Sequence, residues 1–224
     1  MGAAIGSSVV TAVGIALSPM AIIAVVLMLI TRHPRSNGLS FVVGWLLALG
    51  VVGAAVLVIA GPTSAGQHQS ATWSAWVDLA LGLALVVVAV RRFRKRPRGE
   101  REPSLPRWMG TVERCRPPEA LALGAGLAGA NPKNLLLAVA GAAEIAQTGI
   151  SGGQQALAYT VFALIATVGV AAPLVLYLAL GRRSAPALTR LKDWMARNNA
   201  VIIAVLCLVI GAKLIGDAIG AATG

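Results

Sequence analysis

Acidic residues are scarce in this 224-residue chain: eight Asp and Glu stand against 19 Lys and Arg, a formal net charge of +11. Cysteine is scarcer still. Cys115 and Cys207 are too few for a disulfide scaffold or a cysteine-built zinc site, and neither has the neighbour that a thiol–disulfide relay needs. His33 and His68 are equally isolated, so the sequence carries no histidine-based metal site. Aromatics make up 4% of the residues, and the basic stretch 91–118 holds a single one, Trp108, in no recognisable nucleic-acid module. Nucleic acid is therefore excluded as the partner that the positive charge serves. No kinase, hydrolase or metalloprotease pattern occurs, and Gly124-Ala125-Gly126-Leu127-Ala128-Gly129 matches the dinucleotide fingerprint only formally, because no strand precedes it. Neither an enzyme nor a cofactor is expected.

What the chain has in abundance is apolar length. Hydrophobic residues make up 57% and charged residues 12%, with 25 Gly and 11 Pro. Long apolar blocks run over residues 4–30, 39–60, 73–90, 120–145, 156–180 and 200–222. A bilayer core of about 30 Å takes roughly 20 helical residues, so each block is long enough for one crossing. Unpaired backbone is costly in lipid, and such continuous apolarity exceeds the alternation of a barrel strand, so the blocks read as helices. The block at residues 2–30 has its first positive charge, Arg32, on the far side of the apolar run, which reads as a retained helix and not as a cleaved signal peptide.

Position gives the charges a meaning. All of the Lys and Arg residues except Lys133 and Lys213 lie in three stretches, 32–35, 91–116 and 182–197. With six crossings these stretches share one face, which the positive-inside rule makes cytoplasmic. The expectation is an all-α polytopic membrane protein of six transmembrane helices, arranged as a 3+3 inverted-topology repeat with both termini outside. Residues 1–90 form the first repeat, 91–118 a basic cytoplasmic linker containing five prolines, and 119–224 the second repeat.

Two polar interruptions break the apolar pattern. Ala16-Leu17-Ser18-Pro19 falls in the first block and Asn131-Pro132-Lys133-Asn134 in the fourth. Proline removes a helical donor and displaces the carbonyl four residues earlier, which exposes backbone near Ile15 and Ala128. Broken helices at the midplane are where inverted-repeat transporters bind their cargo, which makes Ser18, Pro19, Asn131, Pro132, Lys133 and Asn134 the candidate substrate site. Lys133 offers three donors and a positive charge, suited to a carboxylate, sulfate or phosphate; its competing role is counter-ion to Asp217 or Asp78. Lys213 and Asp217 are four apart on one helix face, and with Asp78 and Glu144 they form a second set, an ion pair or a proton-coupling group. Small residues at 124, 128 and 132, and at 212, 216 and 220, read as packing ladders.

Leu17-Ser18-Pro19 followed by Ile22-Ile23, together with Asn131-Pro132-Lys133-Asn134-Leu135 and the basic central stretch, resembles the GAP-like family. These are the peptidoglycolipid- or sulfolipid-addressing proteins of mycobacteria and related actinobacteria, within the lysine-exporter superfamily. The resemblance covers about residues 18–220 and implies a multi-pass inner-membrane protein that moves envelope glycolipids toward the cell surface beside a large proton-driven lipid transporter. Pro19 and residues 131–134 carry the family's pattern; Ala21 departs from its common Ser-Pro-x-Pro form. Membrane lipids and a glycolipid are the partners so implied, and self-association into a homo-oligomer stays open. An exporter of small polar solutes, such as amino acids or cations, is one alternative. A non-transporting assembly partner of a large lipid transporter is the other.

Overall fold

The computed structural model describes residues 2–29, 33–60, 67–94 and 115–223. Its elements, in chain order, are α1 (Gly2–Ala16), α2 (Pro19–Met28), α3 (Pro34–Ala60), α4 (Gln67–Arg94), α5 (Pro117–Gly129), α6 (Pro132–Ala146), α7 (Gly152–Leu180), a 3-10 turn (Gly181–Ser184) and α8 (Ala185–Thr223). Most of the linker expected at 91–118, with Lys95, Arg96, Arg98, Arg101, Arg107, Trp108 and Arg114, lies outside the described residues.

Proline positions decide where the helices divide. Pro19 and Pro132 each stand at the start of a helix, where a missing N–H costs nothing, and Ser18 and Asn131 precede them in extended backbone. The first apolar block therefore becomes two helices, α1 and α2, bent by 53°. The fourth becomes α5 and α6, of 13 and 15 residues. At 1.5 Å per residue these are about 20 and 22 Å long, each short of a hydrocarbon core.

The expected six crossings are not found among the described residues: this division shortens the first and fourth blocks, α4 is not among the candidate spans, and the fifth and sixth blocks fall in one run. Among the described residues two helical runs are long and apolar enough to cross a membrane, Pro34–Ile59 and Gly152–Gly220, or three if the bent α1–α2 pair counts as one span. The 3+3 inverted-topology repeat falls with the count, and so does the inference that put both termini outside. The last apolar block also starts earlier than expected: α8 takes in Arg190, Lys192 and Arg197 as helix.

Packing brings backbones into direct contact. Along α3 and α5, a Cβ at Gly44 would overlap the Leu121 carbonyl and one at Gly124 the Phe41 carbonyl, so the two helices meet through reciprocal glycines. Where α4 meets α8, a Cβ on Gly82 would lie 2.9 Å from the Gly211 carbonyl oxygen, and one on Gly211 equally close to that of Gly82. Small residues let helices approach within reach of Cα–H···O contacts in a lipid setting that gives no hydrophobic drive between them. Gly216 has open space around it, so the seam of α8 runs through Gly211 and not along the 212–216–220 series.

Aromatic rings fill the core beside these seams. Phe41 and Trp45 stack at 6.4 Å and are fully buried, while Tyr159 donates to the Leu49 carbonyl at 2.9 Å. Outside, large apolar side chains stand exposed along several helices, among them Val51, Val58 and Ile59 on α3 and Leu164, Val168 and Val175 on α7. Exposed apolar surface on this scale calls for lipid around it.

Candidate functional site

The two helix breaks lie against each other, and α6 supplies the side chains that close both. In α1 the Leu17 N–H is bonded to the Val13 carbonyl at 3.0 Å. The next carbonyl, that of Gly14, receives the Lys133 ammonium at 2.6 Å instead. In α5 the Ala130 N–H is bonded to Gly126 at 2.8 Å, and the next carbonyl, Leu127, receives the Asn134 amide at 2.9 Å. Asn134 also donates to the Ser18 hydroxyl at 3.2 Å, tying the two breaks together. The Asn131 side chain accepts from the Lys133 N–H at 3.1 Å and caps α6. The freed carbonyls met by side chains are thus Gly14 and Leu127, one residue before the positions expected from proline geometry.

A helix C-terminus carries partial negative charge on its free carbonyls, and this is what holds Lys133. The residue is 2% exposed, and among the described residues no carboxylate lies within ion-pair distance. Its alternative role as counter-ion to Asp217 or Asp78 is not what the geometry gives. A third free carbonyl of α1, Ala16, is covered by α7 at Gly169, where a Cβ would overlap it.

Beside the α5–α6 break a groove of about 430 Å³ is lined by Met20, Arg92, Leu127, Asn131, Pro132 and Asn199. Pro132 and Arg92 are exposed, so the groove is open to the outside of the bundle. The buried Asn199 Oδ1 has no hydrogen-bond partner among the described residues. The groove lining includes one guanidinium and two side-chain amides, whose N–H groups are donors suited to anionic oxygen.

The second predicted group assembles elsewhere, around Lys213. Its ammonium bridges Glu144 at 2.8 Å and Asp217 at 3.0 Å, and the Thr11 hydroxyl contacts the other Glu144 oxygen at 3.2 Å. Asp78 faces the same cluster, near enough to the Gln147 side chain, Lys213 and Asp217 for each to bear on its charge. Sequence reasoning missed Thr11, Gln147 and Asn199. Ser8, Thr11 and Ser18, polar positions at helical spacing on an apolar block and all buried, were the signal that one face of the first block serves a purpose.

Cys115 and Cys207 are both free. Partial burial and the neighbouring Glu119 carboxylate push the Cys115 thiol up from its ordinary range. Among the described residues no group of His, Cys, Asp and Glu is arranged to hold a metal.

No curated protein and no solved structure matches this chain. The family model described as Sap, sulfolipid-1-addressing protein, matches residues 9–220, a span that takes in both helix breaks, the groove and the Lys213 cluster. With its exposed apolar helices and that match over nearly its whole length, the chain is a membrane-associated protein and belongs to the sulfolipid-addressing family.

Proposed function

We propose that this protein handles anionic envelope amphiphiles in the plasma membrane, taking the polar head group into the groove at the paired helix breaks while the acyl chains stay in the bilayer. One observation carries the reading: both breaks are closed by α6 side chains at the point where an open, donor-lined groove meets lipid-exposed surface. Arg92 and the amides of Asn131 and Asn199 meet the head-group anion. Lys133, next in the chain to the groove residue Pro132 but itself buried on the Gly14 carbonyl, adds a positive charge to the α6 end that the groove borders. The family name points to a sulfated glycolipid, whose sulfate fits this donor set. The basic stretches at 32–35, 91–116 and 182–197 lie against the anionic cytoplasmic leaflet, and 91–118 links the 1–90 and 119–224 parts of the chain.

Two parts of this reading are separable by reconstitution. Purified protein in liposomes, offered a labelled sulfated glycolipid and a neutral glycolipid of the same acyl chains, is expected to bind the sulfated form preferentially and to change its distribution between leaflets. The Lys133→Met protein, inserted and helical, is expected to lose both effects. Correctly inserted protein that neither binds nor redistributes the sulfated lipid ends the proposal. Binding without redistribution supports a loading role beside a larger lipid transporter, and amino-acid counterflow in the same vesicles replaces the amphiphile with a small solute.

A further inference from the structure

The charges around Lys213 do not balance. Three carboxyls, Glu144, Asp217 and Asp78, share one ammonium inside an apolar bundle. Fully ionised, the group would carry two uncompensated negative charges, and like charges at close quarters in a poorly polar medium raise the cost of ionising the last carboxyl. That carboxyl keeps its proton until the pH is high enough to remove it.

Geometry distinguishes the three. Asp217 has its side chain 52% exposed, so water stabilises its charge. Glu144 is buried but receives Lys213 on one oxygen and contacts Thr11 with the other. Asp78 is 7% exposed, and among the described residues it has no cation within ion-pair distance and its Oδ1 meets no donor. The groups facing it are Gln147 from the end of α6, Glu144 on α6, and Lys213 and Asp217 on α8.

We infer that Asp78 is a proton-binding residue whose occupancy sets the position of Lys213. While Asp78 holds its proton, Glu144 and Lys213 form a neutral buried pair and Asp217 remains charged at water. When Asp78 releases the proton to water along the side where Asp217 is exposed, its new carboxylate competes with Glu144 for the Lys213 ammonium. Glu144 then keeps only Thr11 on α1, one helical turn before Gly14, whose carbonyl holds Lys133. The proton site thus acts on the same helix as the break. This inference does not rest on the amphiphile reading, since a proton on Asp78 is observable without any lipid cargo.

Infrared difference spectroscopy of the full-length protein in detergent, titrated from about pH 5 to about pH 9, tests it. The C=O stretch of a protonated carboxyl is expected at the acid end and is lost as the pH rises. Asp78→Asn abolishes that band, Asp78→Glu restores it at a shifted frequency, and Asp217→Asn leaves it in place. Helical circular dichroism and a single monodisperse elution peak establish that each variant is folded. A band that survives in folded Asp78→Asn, or one that disappears in Glu144→Gln while Asp78 is intact, overturns the assignment to Asp78. Absence of any protonated carboxyl across the range overturns the proton site itself.

Discussion

Lys133 and Lys213 are the two cations that lie outside the basic stretches, and the protein treats them oppositely. Lys213 is saturated, with a carboxylate on either side at 2.8 and 3.0 Å. Lys133 is more deeply buried, and among the described residues it meets no carboxylate but the Gly14 carbonyl at the broken end of α1. A paired lysine neutralises charge and leaves little for a ligand. A lysine held by a helix end meets only the partial charge of the free carbonyls, so the break carries the less fully compensated of the two buried cations.

The strongest way to break this comparison is to remove each ammonium in turn. Lys213→Met leaves Glu144 buried without its cation; breaking a buried pair costs about 3 to 5 kcal/mol, and the partial exposure of Lys213 moves the expected loss to the lower end, about 3 kcal/mol. Denaturation of the purified protein in detergent measures it. Adding Glu144→Gln to the same protein is expected to recover most of the loss, because the stranded charge is gone. No recovery would mean that Lys213 serves something other than Glu144.

Lys133→Met is expected to cost less, about 1 to 2 kcal/mol, the penalty of one carbonyl left without a donor, because no carboxylate is stranded. Its effect on sulfated-lipid binding is expected to be the larger one. Equal destabilisation by the two methionine variants would erase the distinction between them. Asn134→Leu comes next, at about 1 kcal/mol: it frees the Leu127 carbonyl and the Ser18 hydroxyl but also removes a buried Oδ1 that meets no donor among the described residues. The same denaturation measurement is the check, and a neutral result would show that water closes the α5 end.

Some of this was readable from residues alone, and the reason lies in distance along the chain. Ser18 and Asn131 before proline, each inside an apolar run, mark helix starts by local chemistry, and the structure places both at N-caps. Lys213 and Asp217, four apart on one helix, are equally local. The partner of Lys133 is 119 residues away and is a backbone carbonyl, a group every residue possesses, so no residue type announces it. Glu144 meets Lys213 across 69 residues, and the glycine seams between α3 and α5 depend on which faces meet. The crossing count failed for a related reason. Apolar length records how much chain prefers lipid, whereas a proline break decides whether that length is one span or two short helices.

The smallest expected effect is also the sharpest control on the ion cluster. Asp217→Asn removes a carboxylate whose side chain is 52% exposed and which pairs with Lys213 one turn away. Exposed i,i+4 pairs contribute only about 0.3 to 0.5 kcal/mol, so the midpoint of unfolding is expected to move little. Lys213 loses one partner but keeps Glu144, and the buried pair stays neutral. A loss comparable to that of Lys213→Met would show that Asp217 carries the pairing and that Glu144 is held by Thr11 alone. In that case the contrast between the two lysines would narrow, since Lys213 would then depend on a carboxylate at the edge of the bundle and not on one in its interior.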